Sequence, residues 1–485
     1  MRTLGRPKSV LVIGAGMSGL CMAIRLKQCG FQSVTILESS DEIGGTWSKN
    51  TYPNAGCDVP SHLYSFSFAL NPRWSQKYAR QPEILEYFRS CAERFGIQSQ
   101  IRFGCKVESA VYDSNNAQWE VSTSETETLR ADILVSAVGQ LNRPYIPSFS
   151  GLEDFAGESW HSARWNHDYD FAGKTVAVVG NGASAVQFLP TVAESAQRTL
   201  VFQRTPSWIH PLTNRRYSTP ARWSFANLPM LARMYRYWLY WMSEWRIIAF
   251  RQGSKINKEY ARWLRRRMKR LLPEAYWEKL LPNYEPGCKR ILLSNDYLQT
   301  LSRNDVEVIQ DSIRGFTADG VNTEGKSFPC DAVIFATGFR SNEFLHPISI
   351  RGRDGTELES YWDGRPRAYQ GLSVPQFPNF FMLYGPNTNL GHNSIIFMVE
   401  QQVELILRCL RRMNRAGARE VEIRPEAADR NQEDIQTALR DSVWAGECTN
   451  WYKSASGHIP NNWSGSALKY WYRLKRDRLD AFRFR

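Results

Sequence analysis

Short apolar runs and helical stretches follow one another along this chain in an order that repeats. Val10 to Ile13 is a strand-length apolar run that ends in a glycine-rich turn and opens a helical pattern. Ser33 to Leu37 is the next strand, and Ala131 to Gly139 reads as a return strand. It leads into a proline-punctuated crossing, Asn142-Arg143-Pro144-Tyr145-Ile146-Pro147. The succession then starts again: Thr175 to Val179, a second glycine turn, a helical run, Thr199 to Phe202, and an equivalent return strand over Asp331 to Phe339. Between Pro211 and Pro286 the composition shifts to Trp, Tyr, Arg and Leu with helical periodicity. Leu228 to Phe250 is largely apolar, but Arg233, Arg236, Glu244 and Arg246 interrupt it. A spanning helix needs roughly 20 predominantly apolar residues, so this stretch predicts no transmembrane segment. An amphipathic helix is predicted from about Ile395 to Arg412.

Both glycine turns carry a dinucleotide-phosphate fingerprint, Gly14-Ala15-Gly16-Met17-Ser18-Gly19 and Gly180-Asn181-Gly182-Ala183-Ser184-Ala185. In each, the first glycine allows the tight turn and the second lets backbone approach a pyrophosphate. The third position, Gly19 or its substitute Ala185, sets how closely helix packs on strand. The helix N-terminus then offers unpaired N–H groups to the phosphates. The fold class implied is α/β, with two Rossmann-like dinucleotide-binding domains, the second inserted into the first. Residues 1–145 and 341–485 form the first domain, 146–210 and 287–340 the second, and 211–286 a helical insert.

The residues after each turn separate the two nucleotides. The strand Ser33 to Leu37 ends at Glu38, whose carboxylate accepts hydrogen bonds from ribose hydroxyls and repels a 2′-phosphate, which suits FAD. The strand Thr199 to Phe202 ends in Gln203-Arg204-Thr205 with no acid. Arg204, placed in register with Glu38, pairs well with a phosphate dianion, which suits NADPH. The alternative is that Arg204 is an ordinary solvated arginine.

At 485 residues the chain is long enough for two or three domains, and 42% apolar with 13% aromatic residues is a globular composition. The net charge of +13 comes without a nucleic-acid recognition motif or a basic tail, so no nucleic-acid partner is implied. Two anionic cofactors account for part of it and solvated surface for the rest. The nine cysteines are scattered without a Cys-x-x-Cys pair, and the seven histidines form no metal cluster. That predicts free thiols in a cytoplasmic protein, no metal, and no disulfide oxidoreductase. Met1 to Ser9 is short and basic and leaves no room for a signal peptide.

Three further stretches resemble a known family. Phe155-Ala156-Gly157-Glu158-Ser159-Trp160-His161-Ser162-Ala163-Arg164-Trp165-Asn166 resembles the signature of the Baeyer–Villiger monooxygenases, Phe-x-Gly-x-x-x-His-x-x-x-Trp followed by Pro or Asp. Gly44-Gly45-Thr46-Trp47 with Tyr52-Pro53 and Asp58 resembles the second signature, and Gly287-Cys288-Lys289-Arg290 the segment bearing the active-site arginine. The resemblance covers most of the chain. Asn166 departs from the usual Pro or Asp, and Asn54 from the usual Gly or Met. Trp165 separates the chain from the sister flavin-containing monooxygenases, which carry another aromatic there.

The resemblance implies an FAD- and NADPH-dependent enzyme that uses O2 to convert a lipophilic ketone to an ester or lactone through a C4a-peroxyflavin. Arg290 is the implied cation beside the flavin, with Asp58 fixing it. Lys289 meets the NADP phosphate beside Arg204 and Thr205, unless Lys289-Arg290 is only a solvated basic pair. Gly45, Thr46 and Trp47 lie near the flavin ring, and Asn387 sits in a late flavin-contacting loop, Gly385 to Ser394. Phe155, Gly157, His161 and Trp165 belong to a linker that governs domain movement; a general-base His161 is the alternative. Trp451 contacts NADP and encloses substrate, or else is a core aromatic. The competing activities are oxygenation of nitrogen or sulfur, and a non-catalytic scaffold. The insert either covers the cofactor cleft or touches a membrane peripherally.

Overall fold

Val10–Ile13 and Thr175–Val179, the strands that feed the two glycine turns, each lie at the centre of a five-stranded parallel sheet. The computed structural model describes residues 8–448, 450–454 and 456–485; most of the lead-in Met1 to Ser9 lies outside them. The first sheet runs Phe380–Met382, Ile133–Ser136, Val10–Ile13, Val34–Leu37, Ile101–Arg102. The second runs Val306–Ile309, Arg198–Phe202, Thr175–Val179, Ala332–Phe335, Glu158–His161. The first sheet takes its last strand from beyond the whole second sheet, so one unit is inserted into the other. The central strands are buried along their length, as continuous apolar runs in parallel sheets must be.

The two turns are built alike. Gly14 donates its N–H to Leu37 O at 2.8 Å and Gly180 donates to Phe202 O at 2.9 Å. Their φ angles are 102° and 105°, a region that needs glycine. A Cβ there would strike the return strand's end, Ala137 O at 2.8 Å in the first unit and Ala336 O at 2.5 Å in the second. This equivalence corrects one reading. The residue matching Glu38 is Gln203, and Arg204 stands one place further on.

Each unit also carries antiparallel strands that the apolar pattern did not resolve. Val107–Asp113, Gln118–Thr123 and Thr128–Ala131 form one such sheet, with Ser349–Arg351 added in parallel. Ile313–Thr317, Gly320–Thr323 and Ser327–Pro329 form the other. Val107–Asp113 alternates buried and exposed positions because only one face packs inward. Between Arg198–Phe202 and Val306–Ile309, two strands of the second sheet, the chain is largely helical: Thr219–Asn227, Pro229–Glu244, a 3-10 turn over Trp245–Phe250, and Lys255–Leu271. The late amphipathic helix is Ile395–Ala416, one turn longer than predicted, and packs on Met17–Gln28 behind the first glycine turn.

Candidate functional site

The first turn is shaped for a pyrophosphate. Helix Met17–Gln28 starts directly after Gly16, whose backbone faces that of Gly45, and no side chain caps its N-terminus. A methyl group on Gly19 would lie 1.9 Å from Gly14 O, so helix and strand touch here. Glu38 is buried, accepts Ala15 N–H at 2.7 Å on one oxygen and Ser40 N–H at 2.9 Å on the other. Its carboxylate is thus held at the lip of the turn. Gly45 and Thr46 begin the short helix Thr46–Lys49, and Trp47 is buried there with Nε1 donating to Tyr64 Oη at 3.1 Å.

The second turn is more open. Nothing lies within 4 Å of where a Gly182 Cβ would point, and helix Ala183–Ser195 again has no side-chain cap. Ala185 is fully buried, so the helix accommodates the methyl group that replaces glycine. Gln203 is buried and accepts from Asn181 Nδ2 at 2.9 Å, which leaves Arg204 and Thr205 to face outward. Lys289 Nζ donates to Thr205 Oγ1. Burial lowers the Lys289 pKa, and the nearby Arg204 guanidinium lowers it further. Two cations and a hydroxyl converge, and neither cation has an acidic partner among the described residues. A phosphate dianion fits such a donor set.

Arg290 and Asp58 meet across the two units. Arg290 Nε donates to Asp58 Oδ2 at 2.9 Å, and Nη2 donates to Oδ1 at 2.8 Å and Oδ2 at 2.6 Å. Nη1 takes no part in this fork, and the Tyr452 hydroxyl lies close to the guanidinium. The Asp58 carboxylate raises the Arg290 pKa, against the desolvation that opposes it. Asp58 is delivered by a segment that the second unit grips. Gln187, on helix Ala183–Ser195, accepts from Tyr52 Oη at 3.1 Å and donates to Gly56 O at 3.0 Å. Asn54 donates to Thr191 Oγ1 at 2.9 Å. Asn54 has φ 62°, where asparagine substitutes for glycine at least cost, so this departure from the family pattern keeps the backbone.

The long signature is structural in its contacts. Gly157 leaves room for the Phe155 ring, which a Cβ would meet at 2.6 Å. Trp165 is buried against Phe188, with ring centroids 5.0 Å apart, and near Tyr52 at 6.5 Å. His161 ends Glu158–His161, the edge strand of the second sheet rather than a free linker. Its Nδ1 accepts Ala163 N–H at 3.1 Å and its Nε2 donates to Gly338 O at 2.9 Å. Burial lowers its pKa. With both nitrogens on main chain, the ring is held as a structural tie between the edge strand and Gly338, which favours a positioning role over a general base. Asn166 Oδ1 accepts Asp168 N–H at 3.0 Å, as an aspartate would.

The late loop closes the other side. Asn387 is buried and donates to Ile459 O at 2.7 Å and Asn462 O at 3.0 Å, while its Oδ1 has no partner among the described residues. Helix Ile395–Ala416 has no side-chain cap, and Ser394 Oγ just before it is buried and unpartnered. An uncapped N-terminus beside buried orphan polar atoms fits the carbonyl edge of a flavin. Trp451 is 38% exposed, so it is not a core aromatic; Tyr452 beside it is buried.

Sequence reasoning missed three features. Tyr384 and Tyr452 surround Arg290, and burial raises both phenol pKa values while the guanidinium lowers them. No motif marks either residue. Cys288 and Cys448 are joined in a disulfide across 160 residues, with Cα atoms 6.4 Å apart. The expectation of nine free thiols is therefore corrected; spacing along the chain cannot reveal a pair that only the fold brings together. The bond fastens the C-terminal loop to the residue before Lys289. Thr449, two residues before Trp451, lies outside the described residues.

Residues 7–349 match the family model for flavin-binding monooxygenase-like proteins. The chain is 39% identical over 490 residues to an FAD-binding monooxygenase of Aspergillus niger, covering 95% of this chain and 79% of that one. It is 38% identical over 465 residues to a Baeyer–Villiger monooxygenase of Pseudomonas aeruginosa, covering 95% and 88%. Among solved structures, OTEMO in complex with FAD and NADP superposes with a TM-score of 0.89 at 28% identity, over 99% of both chains.

Proposed function

The chain belongs to the flavin-binding monooxygenase-like family, and from that premise we propose that it is an FAD- and NADPH-dependent Baeyer–Villiger monooxygenase. It inserts one oxygen atom of O2 into a lipophilic ketone, giving an ester or lactone. FAD, reduced by NADPH, supplies the electrons and the site of oxygen activation. The first glycine turn with Glu38, together with Gly45, Thr46, Trp47 and Asn387, would hold FAD. The second turn with Arg204, Thr205 and Lys289 would hold NADPH, and Trp451 would border it.

The observation that carries this reading is the fork of Arg290 on Asp58. Two of its nitrogens are spent on the carboxylate, which fixes the plane of the guanidinium. Nη1 remains to donate to negative charge that develops on oxygen as a carbonyl is attacked. A donor that is already in place costs no reorganisation at that moment. Arginine suits the task because it stays charged at every working pH. Burial of Tyr384 and Tyr452 around it limits water at the same point.

The test is a product screen. Holoenzyme is supplied with NADPH, O2 and a panel of cyclic and long-chain ketones alongside a thioether, and mass spectrometry follows the gain of one oxygen. Ester or lactone is the expected product. Sulfoxide with no oxygenated ketone across the panel would transfer the enzyme to the heteroatom-oxidising branch.

A further inference from the structure

Residues 211–270 hold fifteen of the chain's 61 Lys and Arg but only two of its 48 acids, Glu244 and Glu259. What remains is balanced, 46 against 46, so the whole net charge of +13 resides in these sixty residues. A uniformly solvated basic surface is therefore not its source. One of the acids, Glu244, is buried, and among the described residues Arg262, paired with Glu259, is the one exposed cation of this stretch with an acid in reach.

The helix Pro229–Glu244 in the middle of this stretch is apolar on its outer face as well as its inner one. Its buried face packs Leu239 and Tyr240 into the core and also carries Arg236 and Glu244. Arg236 Nη1 donates to the main-chain oxygens of His62, Leu63 and Ser65 at 2.8–2.9 Å. Glu244 accepts from Asn393 Nδ2 and Leu468 N–H, both at 2.8 Å. Its outer face carries Met230, Met234, Trp238, Trp241 and, just past its end, Trp245, spaced at helical intervals. Met230 is 74% exposed, Trp238 52% and Trp245 69%. Trp223 on the preceding helix is 63% exposed. Scattered exposed apolar residues are ordinary, but a continuous stripe of Trp and Met is not. The polar anchors on the inner face hold the helix in place, so the outer stripe is not needed for folding.

We propose that this face docks on a lipid bilayer rich in anionic headgroups. The indoles and methionines enter the interface while exposed Arg222, Arg233 and Arg246 and the cationic helix Lys255–Leu271 lie against the lipid phosphates. Charge decides the occupant. A second copy of this chain would set one +13 surface against another. A nucleic acid would satisfy the cations and leave the indoles in water. An anionic bilayer satisfies both. No helix among the described residues is long and apolar enough to cross the membrane, so the contact is peripheral. The inner face of the same helix touches Asn393 and His392 in the loop before Ile395–Ala416, so docking sets the membrane beside the proposed flavin site. The bilayer is also where a lipophilic ketone collects. That last link rests on the function proposed above; the docking itself does not.

The experiment is flotation of holoenzyme with vesicles of phosphatidylcholine alone or mixed with phosphatidylserine, at low and high salt. The protein floats with the anionic vesicles, and salt weakens it. Changing Trp238 and Trp241 together to Ser lowers the affinity by about ten-fold or more. Arg222→Ala and Arg233→Ala each lower it about five-fold on anionic vesicles and leave it unchanged on phosphatidylcholine. Bound FAD absorbance and turnover of a water-soluble ketone stay at the unmodified level, which separates lost docking from lost folding. If the tryptophan variant loses FAD, the two arginine variants carry the test. No flotation of the unmodified protein, or flotation indifferent to all these changes, overturns the proposal. So does concentration-dependent self-association that the tryptophan variant abolishes without any vesicle binding.

Discussion

Asp58 and Arg290 lie 232 residues apart and belong to different nucleotide units, yet they form a fork with three contacts of 2.6–2.9 Å. The pair therefore reports on how the two units are seated. Arg290→Ala removes the whole guanidinium, including the Nη1 that takes no part in the fork. Flavin reduction by NADPH is expected to persist, because the phosphate-binding groups are elsewhere, while product formation falls by about 10²- to 10³-fold. Stopped-flow reduction and product assay, run on the same preparation, separate the two half-reactions. Equal loss in both would place Arg290 in hydride delivery instead.

Asp58→Ala leaves the cation and removes its clamp. Product formation falls less than in the Arg290 variant, and more NADPH is consumed without product, released as hydrogen peroxide. Measuring peroxide against ester or lactone gives the ratio. Because the two residues act as a unit, the double variant is expected to be no worse than Arg290→Ala.

Lys289 meets the Thr205 hydroxyl with Arg204 close by, the group of residues proposed to hold the nucleotide phosphate. Arg204→Ala is expected to raise the KM for NADPH by one to two orders of magnitude while the KM for NADH moves little. Lys289→Ala follows the same direction. Parallel changes for both nucleotides would mean that these cations meet the shared pyrophosphate and not the 2′-phosphate.

The architecture was legible because its signals are local. Each glycine turn follows its strand and precedes its helix within about fifteen residues, and sterics allow few alternatives at Gly14 and Gly180. The site was legible only where a motif carried it. Asp58, Lys289 and Arg290 are found through a resemblance; nothing in their own neighbourhood says that residues 232 apart will meet. Tyr384, Tyr452 and the Cys288–Cys448 bond have no local signal at all. Arg204 stands one residue beyond the place that matches Glu38 because strand ends cannot be counted from apolarity alone; Gln203 is polar yet as buried as the strand it follows. For His161 the sequence leaves a linker role and a general base side by side, and only the fold shows that both nitrogens lie on main chain.

The Cys288–Cys448 bond ties the loop carrying Trp451 and Tyr452 to the irregular segment carrying Lys289 and Arg290. Cys448→Ser is expected to loosen that loop while the glycine turns stay intact. Amide hydrogen exchange should rise over residues 446–454 and not over 10–19 or 175–185. The KM for NADPH should rise several-fold, since Trp451 would no longer border the nucleotide. Treating the unmodified protein with a reductant should reproduce the exchange pattern, and leave the serine variant unaffected.

His62 makes stability depend on pH. It is buried in a cage of Tyr217, Phe225 and Tyr235, with ring centroids 5.1, 4.6 and 5.2 Å away, and neither ring nitrogen has a hydrogen-bond partner among the described residues. Burial, with Arg236 close by, pushes its pKa down to about 4. The unfolded chain takes up this proton near pH 6.5, whereas the folded protein refuses it until about pH 4. The unfolded state therefore binds more protons across that window, and stability falls as the pH drops through it. Between pH 7 and pH 5 the loss from this one group is about 2 kcal/mol. His161, His210 and His458 are lowered by burial as well and act in the same direction. Comparison with His62→Phe isolates the term: the apolar ring suits the cage, and denaturant unfolding at the two pH values should show a smaller drop by about that amount. Since His62 O is one of the three oxygens that hold Arg236, acid should release the helix Pro229–Glu244 first. Exchange of its amides at pH 5 should outpace that of either glycine turn.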